Sequence, residues 1–551
     1  MKSWINQSMI YHIYPLGFCG CPEYNDGVQS YRLDKVIDWI PHLKELNINA
    51  VYFGPVFEST KHGYDTKDYY KIDVRLGDNQ SFKKICDVLH ANGIKVILDG
   101  VFNHVGRDFW AFKDVQQNKQ GSIYCGWFHN LNFGGHSPMG DPFWYEGWGG
   151  YYDLVKLNLQ NPYVVEHLLG AVGLWIDEFG IDGLRLDAAD CVDMNFFRQL
   201  KDFCHKKRPD FWLMGEIIHG DYTRWANGDM LDSVTNYECY KGIYSSHNDH
   251  NYFEIAHSLQ RQFSQGGIYS NLCLYSFLDN HDVDRIASHL KDKNHLKNAY
   301  TIMYGMPGVP SIYYGSEWGI EARRTKNDDK PLRPELNLGK IPNANEKLNQ
   351  YIGKLGKIRK SLEALQFGDF KNECIRNEQL VFSRSYNSQT VYVALNLSAN
   401  NSEVGFQAKG GFSKLTDVLT GKIFDNTGYV HIPMEGYSAR ILVMNNGEFF
   451  IDFDEKDEIV TVDKKETPTV DEKEKVVEES VRPLTEVKKG MYRHYTGKEC
   501  EVLCVCQHSE SNEKLVIYLD KESGKYCAYP YEKFVALTEK NGKTVRIFDK
   551  E

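Results

Sequence analysis

Three carboxylates stand out because each closes a short motif: Asp187 ends Gly-Leu-Arg-Leu-Asp, Glu216 ends Met-Gly-Glu and Asp282 ends Leu-Asp-Asn-His-Asp. A fourth, Asp99, ends the apolar run Lys-Val-Ile-Leu-Asp and is followed by Gly-Val-Phe-Asn-His. Two carboxylates about 5 Å apart can cleave a glycosidic bond with retention, one as the nucleophile and the other as acid and base. We therefore expect these acids to form one cluster.

The elements that must position these acids are eight predicted strands, most of them separated by helical patterns. The strands are predicted at residues 10–14, 50–53, 95–99, 183–187, 211–216, 231–236, 272–278 and 309–313. The clearest helical patterns cover residues 33–46, 81–92, 164–179 and 194–206. This alternation is typical of the α/β class and of a closed (β/α)8 TIM barrel, although periodicity alone leaves an open, doubly wound sheet as an alternative.

The spacing of the acids favours the barrel, in which active sites lie at the carboxyl ends of the strands. Asp187 and Glu216 are one strand–helix unit apart and Asp282 follows after two more, which predicts strands four, five and seven. The gap from Asp99 to Asp187 is too long for one unit. The extra residues in this gap are rich in Gly and aromatic residues, and they predict a subdomain at 105–155 inserted after strand three.

The sequence predicts four regions. A catalytic barrel covers residues 1–365, and an alternating strand pattern at 366–446 indicates an antiparallel β-sandwich. Residues 447–489 are predicted to be an acidic, disordered linker, because the stretch 451–489 has 13 acidic and 8 basic residues and almost no aromatic ones. A small β-rich domain is predicted at 490–551.

Composition narrows the classes of partner and compartment. A formal net charge of −11 argues against nucleic acid and anionic membranes as partners. No apolar run is long enough for a transmembrane helix or signal core, and the 13 Cys show no zinc-ligand spacing. We therefore expect a cytoplasmic protein with reduced thiols. The 13% aromatic share is compatible with large cores and with platforms for sugar rings.

The motifs, taken in order, resemble the alpha-amylase family of glycoside hydrolases (family 13), over residues 9–446. They lie at residues 49–58, 62–66, 99–104, 154–158, 183–187, 215–217, 279–282 and 308–317. Within the family, Leu-Val-Lys-Leu-Asn at 154–158 and Gly-Glu-Ile-Ile-His-Gly-Asp at 215–221 are most similar to the group of neopullulanases, cyclomaltodextrinases and maltogenic amylases. Val155 replaces a Pro of that group. Members of the group often carry an N-terminal sandwich domain, whereas the first predicted barrel strand here begins at residue 10.

The resemblance implies distinct roles for the three carboxylates. Asp187 matches the nucleophile, Glu216 the general acid and base, and Asp282 the carboxylate that stabilises the transition state. Arg185 lies two residues before Asp187 and on the same face of the strand. We expect this cation to lower the pKa of Asp187 and so keep it ionised.

Further matches concern substrate binding. The resemblance implies that Tyr64 stacks on the sugar, that His104 and His281 hydrogen-bond its hydroxyls, and that Asp99 and Arg185 support them. No organic cofactor is implied. Asn103 matches a position that binds calcium in some members, so a calcium ion there is compatible with the resemblance but not required by it.

One departure concerns specificity. Typical family members have Lys-His three and four residues after the nucleophile, where this chain has Asp190-Cys191. The usual contacts on the leaving-group side are therefore not expected here. Preferred chain length and oligomeric state are not predicted.

The predicted activity is retaining hydrolysis of alpha-glucosidic bonds, mainly α-1,4, in maltodextrins, cyclodextrins or related glucans. Two alternatives stay open: an alpha-glucan transglycosylase or isomerase using the same carboxylates, and a non-catalytic glucan-binding protein. The presence of all three carboxylates disfavours the latter.

The last region resembles a small bacterial domain of unknown function (DUF1653), through Tyr-Arg-His-Tyr-Thr-Gly at 492–497 and Tyr-Pro-Tyr-Glu-Lys-Phe at 529–534. We interpret its aromatic residues as the core of a small sheet rather than as a sugar site.

Overall fold

The computed structural model describes residues 3–326, 328–447, 449–455, 459–460, 487, 490–494, 499–507, 514–521, 525–535, 537–540, 543–546 and 548–550. The chain divides into two compact units, Met1–Val462 and Asp463–Glu551. Within the described ranges, no helix combines the length and the apolar character needed to cross a bilayer.

Eight parallel strands form the predicted barrel in the first unit. Their order around the sheet is six, five, four, three, two, one, eight, seven, and a parallel bridge between Thr235 and Tyr275 joins strand six to strand seven. The strands are Ile10–Ile13, Ala50–Phe53, Lys95–Gly100, Gly183–Leu186, Trp212–Gly215, Ser233–Val234, Tyr275–Phe277 and Val309–Tyr313.

The predicted strands occur in the predicted order, and the second and eighth have the predicted bounds. Strand six is shorter than its apolar run, because Leu231 pairs with Ala226 of the preceding loop instead of with strand five. The apolar pattern of the sequence does not show at which residue this segment stops pairing with the preceding loop and begins to pair with strand five.

Helices pack around the barrel and share its core. They are Pro15–Phe18, Val36–Glu45, Asn79–Ala91, Pro162–Phe179, Met194–Lys207, Tyr237–Asn248, Phe253–Phe263, Ile286–His289, Leu296–Gly305, Glu346–Ser361 and Glu363–Phe367. The connection after strand five is different: residues 216–232, all described, contain a 3-10 turn at Tyr222–Arg224 and no α-helix.

The loops after strands two and three carry additional structure. A hairpin, Phe57–Ser59 and Thr66–Ile72, follows strand two. The predicted subdomain follows strand three and contains the helix Trp110–Asn118 and three antiparallel strands. Those strands are His104–Gly106, Gly147–Trp148 and Tyr151–Lys156.

Two antiparallel sheets form the predicted sandwich and enclose a separate apolar core. The larger sheet contains Asp369–Ile375, Gln379–Tyr386, Gln389–Asn396, Lys414–Asp417, Ile423–Asp425 and Ala439–Asn445, and the smaller one contains Ser402–Gln407 and Tyr429–Met434. The exact boundaries 365/366, 446/447 and 489/490 stay predictions.

The first part of the predicted linker includes described residues that contact the first unit. Phe449, Ile451 and Phe453 pack against the barrel core, and the Asn92 amide bonds both backbone groups of Val460, at 2.9 and 3.1 Å. Three apolar side chains of this stretch therefore have a surface to pack against, and the disorder of the linker at 447–489 stays a prediction. The rest of the predicted linker, apart from Gly447 and Val487, lies outside the described residues.

The second unit is rich in strands, as predicted. A five-stranded sheet contains Gly490–His494, Glu499–Gln507, Lys514–Asp520, Tyr526–Pro530 and Phe548–Lys550. A separate two-stranded sheet contains Leu537–Lys540 and Lys543–Arg546, and a short helix covers Tyr531–Val535. The aromatic residues Tyr492, Phe534 and Phe548 are buried together, which supports the interpretation of a sheet core.

Candidate active site

The three carboxylates lie at the carboxyl ends of three barrel strands. Asp187 directly follows strand four, Glu216 directly follows strand five, and Asp282 lies in the loop after strand seven. Because all eight strands are parallel, these positions are at the same end of the barrel. The placement on strands four, five and seven is therefore the predicted one.

Arg185 connects the acidic residues at the centre of the site. Its Nη1 lies 2.9 Å from Asp99 Oδ1 and 2.9 Å from Asp187 Oδ1, and its Nη2 lies 2.7 Å from Glu216 Oε2. The side chain is almost fully buried. It reaches all three carboxylates because residues 185 and 187 point to the same face of the strand, towards the barrel axis.

The pKa of Asp187 is shifted in the direction opposite to the one expected. Burial raises the pKa of Asp187 well above its ordinary value, and the charges of Glu216 and Asp99 act in the same direction. Arg185 lowers the pKa as expected, but its effect is smaller than that of burial. Arg185 therefore acts in the predicted direction, but burial determines the net shift of the pKa of Asp187, because the sequence does not reveal how completely the pair is desolvated.

Asp99 is held by hydroxyl groups as well as by Arg185. Tyr52 donates to its Oδ2 at 2.7 Å and Tyr64 donates to the same atom at 3.1 Å. Because Asp99 is 1% exposed and already accepts these bonds, it supports the residues around it rather than presenting a free oxygen to a ligand.

His281 lies between two aromatic rings. Tyr14 and Tyr64 stack against it with centroids at 5.7 and 5.5 Å. Its Nε2 is 2.5 Å from the Tyr64 hydroxyl and 3.0 Å from Asp282 Oδ2. The stack fixes the orientation of the ring that contacts Asp282.

Arg333 lies beside Asp282 and is a cation that the sequence motifs did not reveal. Arg333 Nη2 lies 2.9 Å from Asp282 Oδ1, and Arg333 Nε donates to the His281 carbonyl at 3.1 Å. Burial opposes ionisation of Asp282, but the charges of His281 and Arg333 outweigh it and hold the pKa of Asp282 well below its usual range. Arg333 lies in the loop after strand eight, outside every matched motif.

Tyr237 is another residue of the site that the sequence motifs did not reveal. Its hydroxyl donates to Glu216 Oε1 at 3.4 Å and accepts from Asn280 Nδ2 at 3.2 Å. Asn280 Oδ1 accepts the Asp282 backbone N–H at 2.8 Å. This chain of bonds links Glu216 to the loop of Asp282. Its only signal in the sequence is that Tyr237 follows the sixth predicted strand.

His104 faces the nucleophile candidate from the start of the inserted subdomain. Its Nε2 is 4.0 Å from Asp187 Oδ2, and burial lowers the pKa of His104 to about 3, so the ring is neutral. Asn103 Nδ2 lies 3.2 Å from His104 Nδ1. The described residues contain no group of three or more His, Cys, Asp or Glu arranged to hold a metal, and calcium at Asn103 stays a prediction.

The turn that contains Asp190 and Cys191 lies beside Glu216. The preceding residue, Ala188, has a left-handed backbone with φ 44°, and its N–H donates to Glu216 Oε2 at 3.3 Å. Asp190 and Cys191 are both exposed. The two residues that depart from the family pattern are therefore exposed, and they closely follow Ala188, which contacts the acid and base candidate.

Comparison with known proteins agrees with this geometry. Residues 12–347 match the family model "Alpha amylase, catalytic domain", and residues 490–550 match a family of proteins of unknown function, DUF1653. A cyclomaltodextrinase from Bacillus sp. is 32% identical over 419 residues, which cover 72% of this chain and 73% of the relative. Neopullulanase 2 from Thermoactinomyces vulgaris is 30% identical over 472 residues, 80% of this chain and 78% of the relative. The solved structure of a cyclomaltodextrinase superposes with a TM-score of 0.72 at 27% identity, over 80% of this chain and 78% of that one.

Proposed function

Because the chain belongs to the alpha-amylase family of glycoside hydrolases and is a hydrolase of alpha-glucans, we propose that it cleaves α-1,4 links of maltodextrins and cyclodextrins through a covalent glycosyl-enzyme. One observation carries the proposal: a single guanidinium, that of Arg185, binds Asp187 Oδ1 at 2.9 Å and Glu216 Oε2 at 2.7 Å. Two carboxylates so close together suit nucleophilic attack combined with proton donation.

In the proposed first step, Asp187 attacks the anomeric carbon while Glu216 protonates the departing glycosidic oxygen. Arg185 occupies Asp187 Oδ1, so Oδ2 is the oxygen available for attack. Arg185 and the Ala188 N–H occupy Glu216 Oε2, whereas Oε1 accepts only the longer bond from Tyr237 at 3.4 Å, so Oε1 is the better placed to carry the proton. In the second step the deprotonated Glu216 activates water, which releases the sugar from Asp187 with overall retention.

Asp282 is proposed to stabilise the positive charge that develops on the sugar ring. His281 and Arg333 contact its two oxygens at 3.0 and 2.9 Å and favour its anionic form. A fixed negative charge costs no reorganisation during the reaction. The same carboxylate accepts hydrogen bonds from ring hydroxyls in this proposal.

His104 is proposed to donate a hydrogen bond to a hydroxyl of the same sugar. Its Nε2 is buried and has no hydrogen-bond partner among the described residues, which leaves it free for a ligand. Tyr64 is proposed to provide the ring on which this sugar stacks, because its hydroxyl is fixed by Asp99 and His281.

The variants D187N and E216Q test these roles. Each is expected to lower the rate of maltotetraose hydrolysis by at least about a thousandfold, because each removes a group that takes part in bond breaking. D177N, at an exposed helix position, is the matched control and should retain wild-type activity. Turnover at the wild-type level in D187N or E216Q would refute the assignment.

We also propose a cytoplasmic location and no organic cofactor. The two carboxylates supply the nucleophile, the acid and the base, and all 13 Cys are free thiols, as expected in a reducing compartment. Cell fractionation with an antibody against the chain tests the location; recovery outside the cytoplasmic fraction would contradict it.

A further inference from the structure

His12 is a buried imidazole that the proposed mechanism does not use. It lies on the first barrel strand, in register with Tyr52 of strand two and Tyr313 of strand eight. Its ring stacks on the Tyr52 ring with centroids 4.3 Å apart, and its centroid lies 4.9 Å from that of the Tyr313 ring. Only 2% of the residue is exposed, so His12 belongs to the interior of the barrel.

Packing alone does not account for a His at this position. Neither ring nitrogen of His12 has a hydrogen-bond partner among the described residues. Burial lowers the pKa of His12 well below its ordinary value, and His281 and Arg185 act in the same direction. The ring is therefore neutral, with one N–H donor and one acceptor nitrogen. Leaving both unpaired in the interior costs free energy that a Phe ring would avoid, so the two nitrogens indicate a role.

A further unpaired nitrogen belongs to the neighbouring ring of His281. The rings of His12 and His281 are perpendicular, with centroids 5.2 Å apart and an interplanar angle of 89°. Because Tyr14 and Tyr64 stack on the His281 ring, His12 meets the edge of that ring rather than a face. His281 Nδ1 is buried and has no hydrogen-bond partner in the part of the chain that the structure describes. The two neighbouring imidazoles therefore both have unpaired nitrogens.

The partners of the other nitrogen determine where His281 keeps a proton. Its Nε2 lies 3.0 Å from Asp282 Oδ2, and an ionised carboxylate can only accept a hydrogen bond. Nε2 also lies 2.5 Å from the oxygen of Tyr64, which donates its own proton to Asp99. Both contacts therefore require an N–H at Nε2. Nδ1 is then an acceptor in the neutral ring and a donor in the charged ring, and neutral His12 can pair with it in either state.

We propose that His12 is a positioning residue: in the substrate complex one of its nitrogens hydrogen-bonds to His281 Nδ1 and so holds the Nε2–H of His281 on Asp282. The inference rests on the proposed function. Hydrogen bonds of an active site are often long in the free enzyme and tighten when the substrate binds, which fits two imidazoles that are neighbours without a bond between them. His12 acts through His281 and is not proposed to touch the sugar.

The test removes the nitrogens of His12 and keeps a ring in their place. H12F is expected to lower kcat/KM by about tenfold or more, because Asp282 stabilises the transition state only when it is correctly oriented. The loss should be similar for maltotetraose and for α-maltosyl fluoride, whose leaving group is fluoride, because His281 and Asp282 act on the retained sugar. H12Q keeps a neutral donor and acceptor and should restore kcat/KM to within about threefold of wild type.

Urea denaturation separates positioning from folding. Because H12F removes two unpaired polar groups from the interior, its urea midpoint should equal or exceed that of wild type. H12L is a second, smaller apolar variant, and it replaces H12F if the Phe ring is too large for the barrel to fold. H257F makes the same substitution at an exposed helix position and should leave kcat/KM for both substrates unchanged.

Four results would overturn the role of His12. Wild-type kcat/KM in the apolar variants would show that the nitrogens contribute nothing, and an equal loss in H12F and H12Q would show that hydrogen bonding is not the cause. A loss confined to maltotetraose would place the effect on the departing sugar, and a lower urea midpoint in both apolar variants would indicate a role in folding only. Failure of wild type on both substrates would instead refute the proposed function.

Discussion

Arg185 is the residue on which the charge balance of the site depends. It is the cation nearest to both proposed catalytic carboxylates, and it lies almost fully buried among groups that would otherwise repel one another. Burial already raises the pKa of Asp187. Without the guanidinium, that carboxylate would have no charge beside it to favour its ionised form.

The variant R185Q should therefore move the acidic limb of the activity profile. Asp187 reacts as a carboxylate, so kcat/KM falls as the pH drops through the pKa of Asp187. Because Arg185 lowers that pKa, its removal raises it, and activity should be lost at a higher pH than in wild type. The maximal rate should also fall by about a hundredfold, as for loss of a preorganised charge. The measurement is kcat/KM for α-maltosyl fluoride against pH.

The matched control for this profile is R198Q, which removes an exposed Arg from the helix after strand four. Its acidic limb should coincide with that of wild type. An acidic limb in R185Q at the wild-type position would contradict the proposed influence of Arg185 on Asp187.

At the scale of elements, the helix Pro162–Phe179 connects the inserted subdomain back to the barrel. Asn161 caps this helix by accepting the Tyr163 N–H at 3.0 Å, and its Nδ2 donates to the Gly126 carbonyl of the subdomain at 2.9 Å. Gly180, with φ 67°, ends the helix in the left-handed conformation that favours Gly.

We expect N161A to reduce the free energy of unfolding by about 1–2 kcal/mol, because it removes a helix cap and a second hydrogen bond. Urea denaturation measures this change. The neighbouring exposed residue provides the control, since Q160A should differ from wild type by less than about 0.5 kcal/mol. Equal stabilities of N161A and Q160A would show that the cap contributes nothing.

The strands were predictable from the sequence because apolar runs that end in acids repeat at regular intervals. The same reasoning located Asp187 and Glu216 to the residue, since each directly follows its strand. It could not locate Arg333 or Tyr237, because their contacts with Asp282 and Glu216 arise from how the loop after strand eight and the helix after strand six fold back over the site. It also could not reveal that burial outweighs Arg185 at Asp187, since desolvation depends on the whole surrounding fold.

At the scale of the whole molecule, the catalytic elements all lie in the first compact unit. The barrel supplies the carboxylates, and His104 lies at the start of the first strand of the inserted subdomain. The apolar residues at 449–453 pack on the barrel and continue the first unit beyond the sandwich. The second unit has its own aromatic core, and none of its described residues enters the proposed mechanism.

The proposed mechanism requires Asp187 to form a covalent bond to the sugar. A fluorinated glucosyl fluoride that reacts quickly but is released slowly should trap this intermediate, and mass spectrometry of the digested protein identifies the labelled peptide. We expect one sugar on the peptide that contains Asp187. A label on a peptide that contains Glu216 or Asp282 instead, or turnover of the reagent with inversion of configuration, would contradict it.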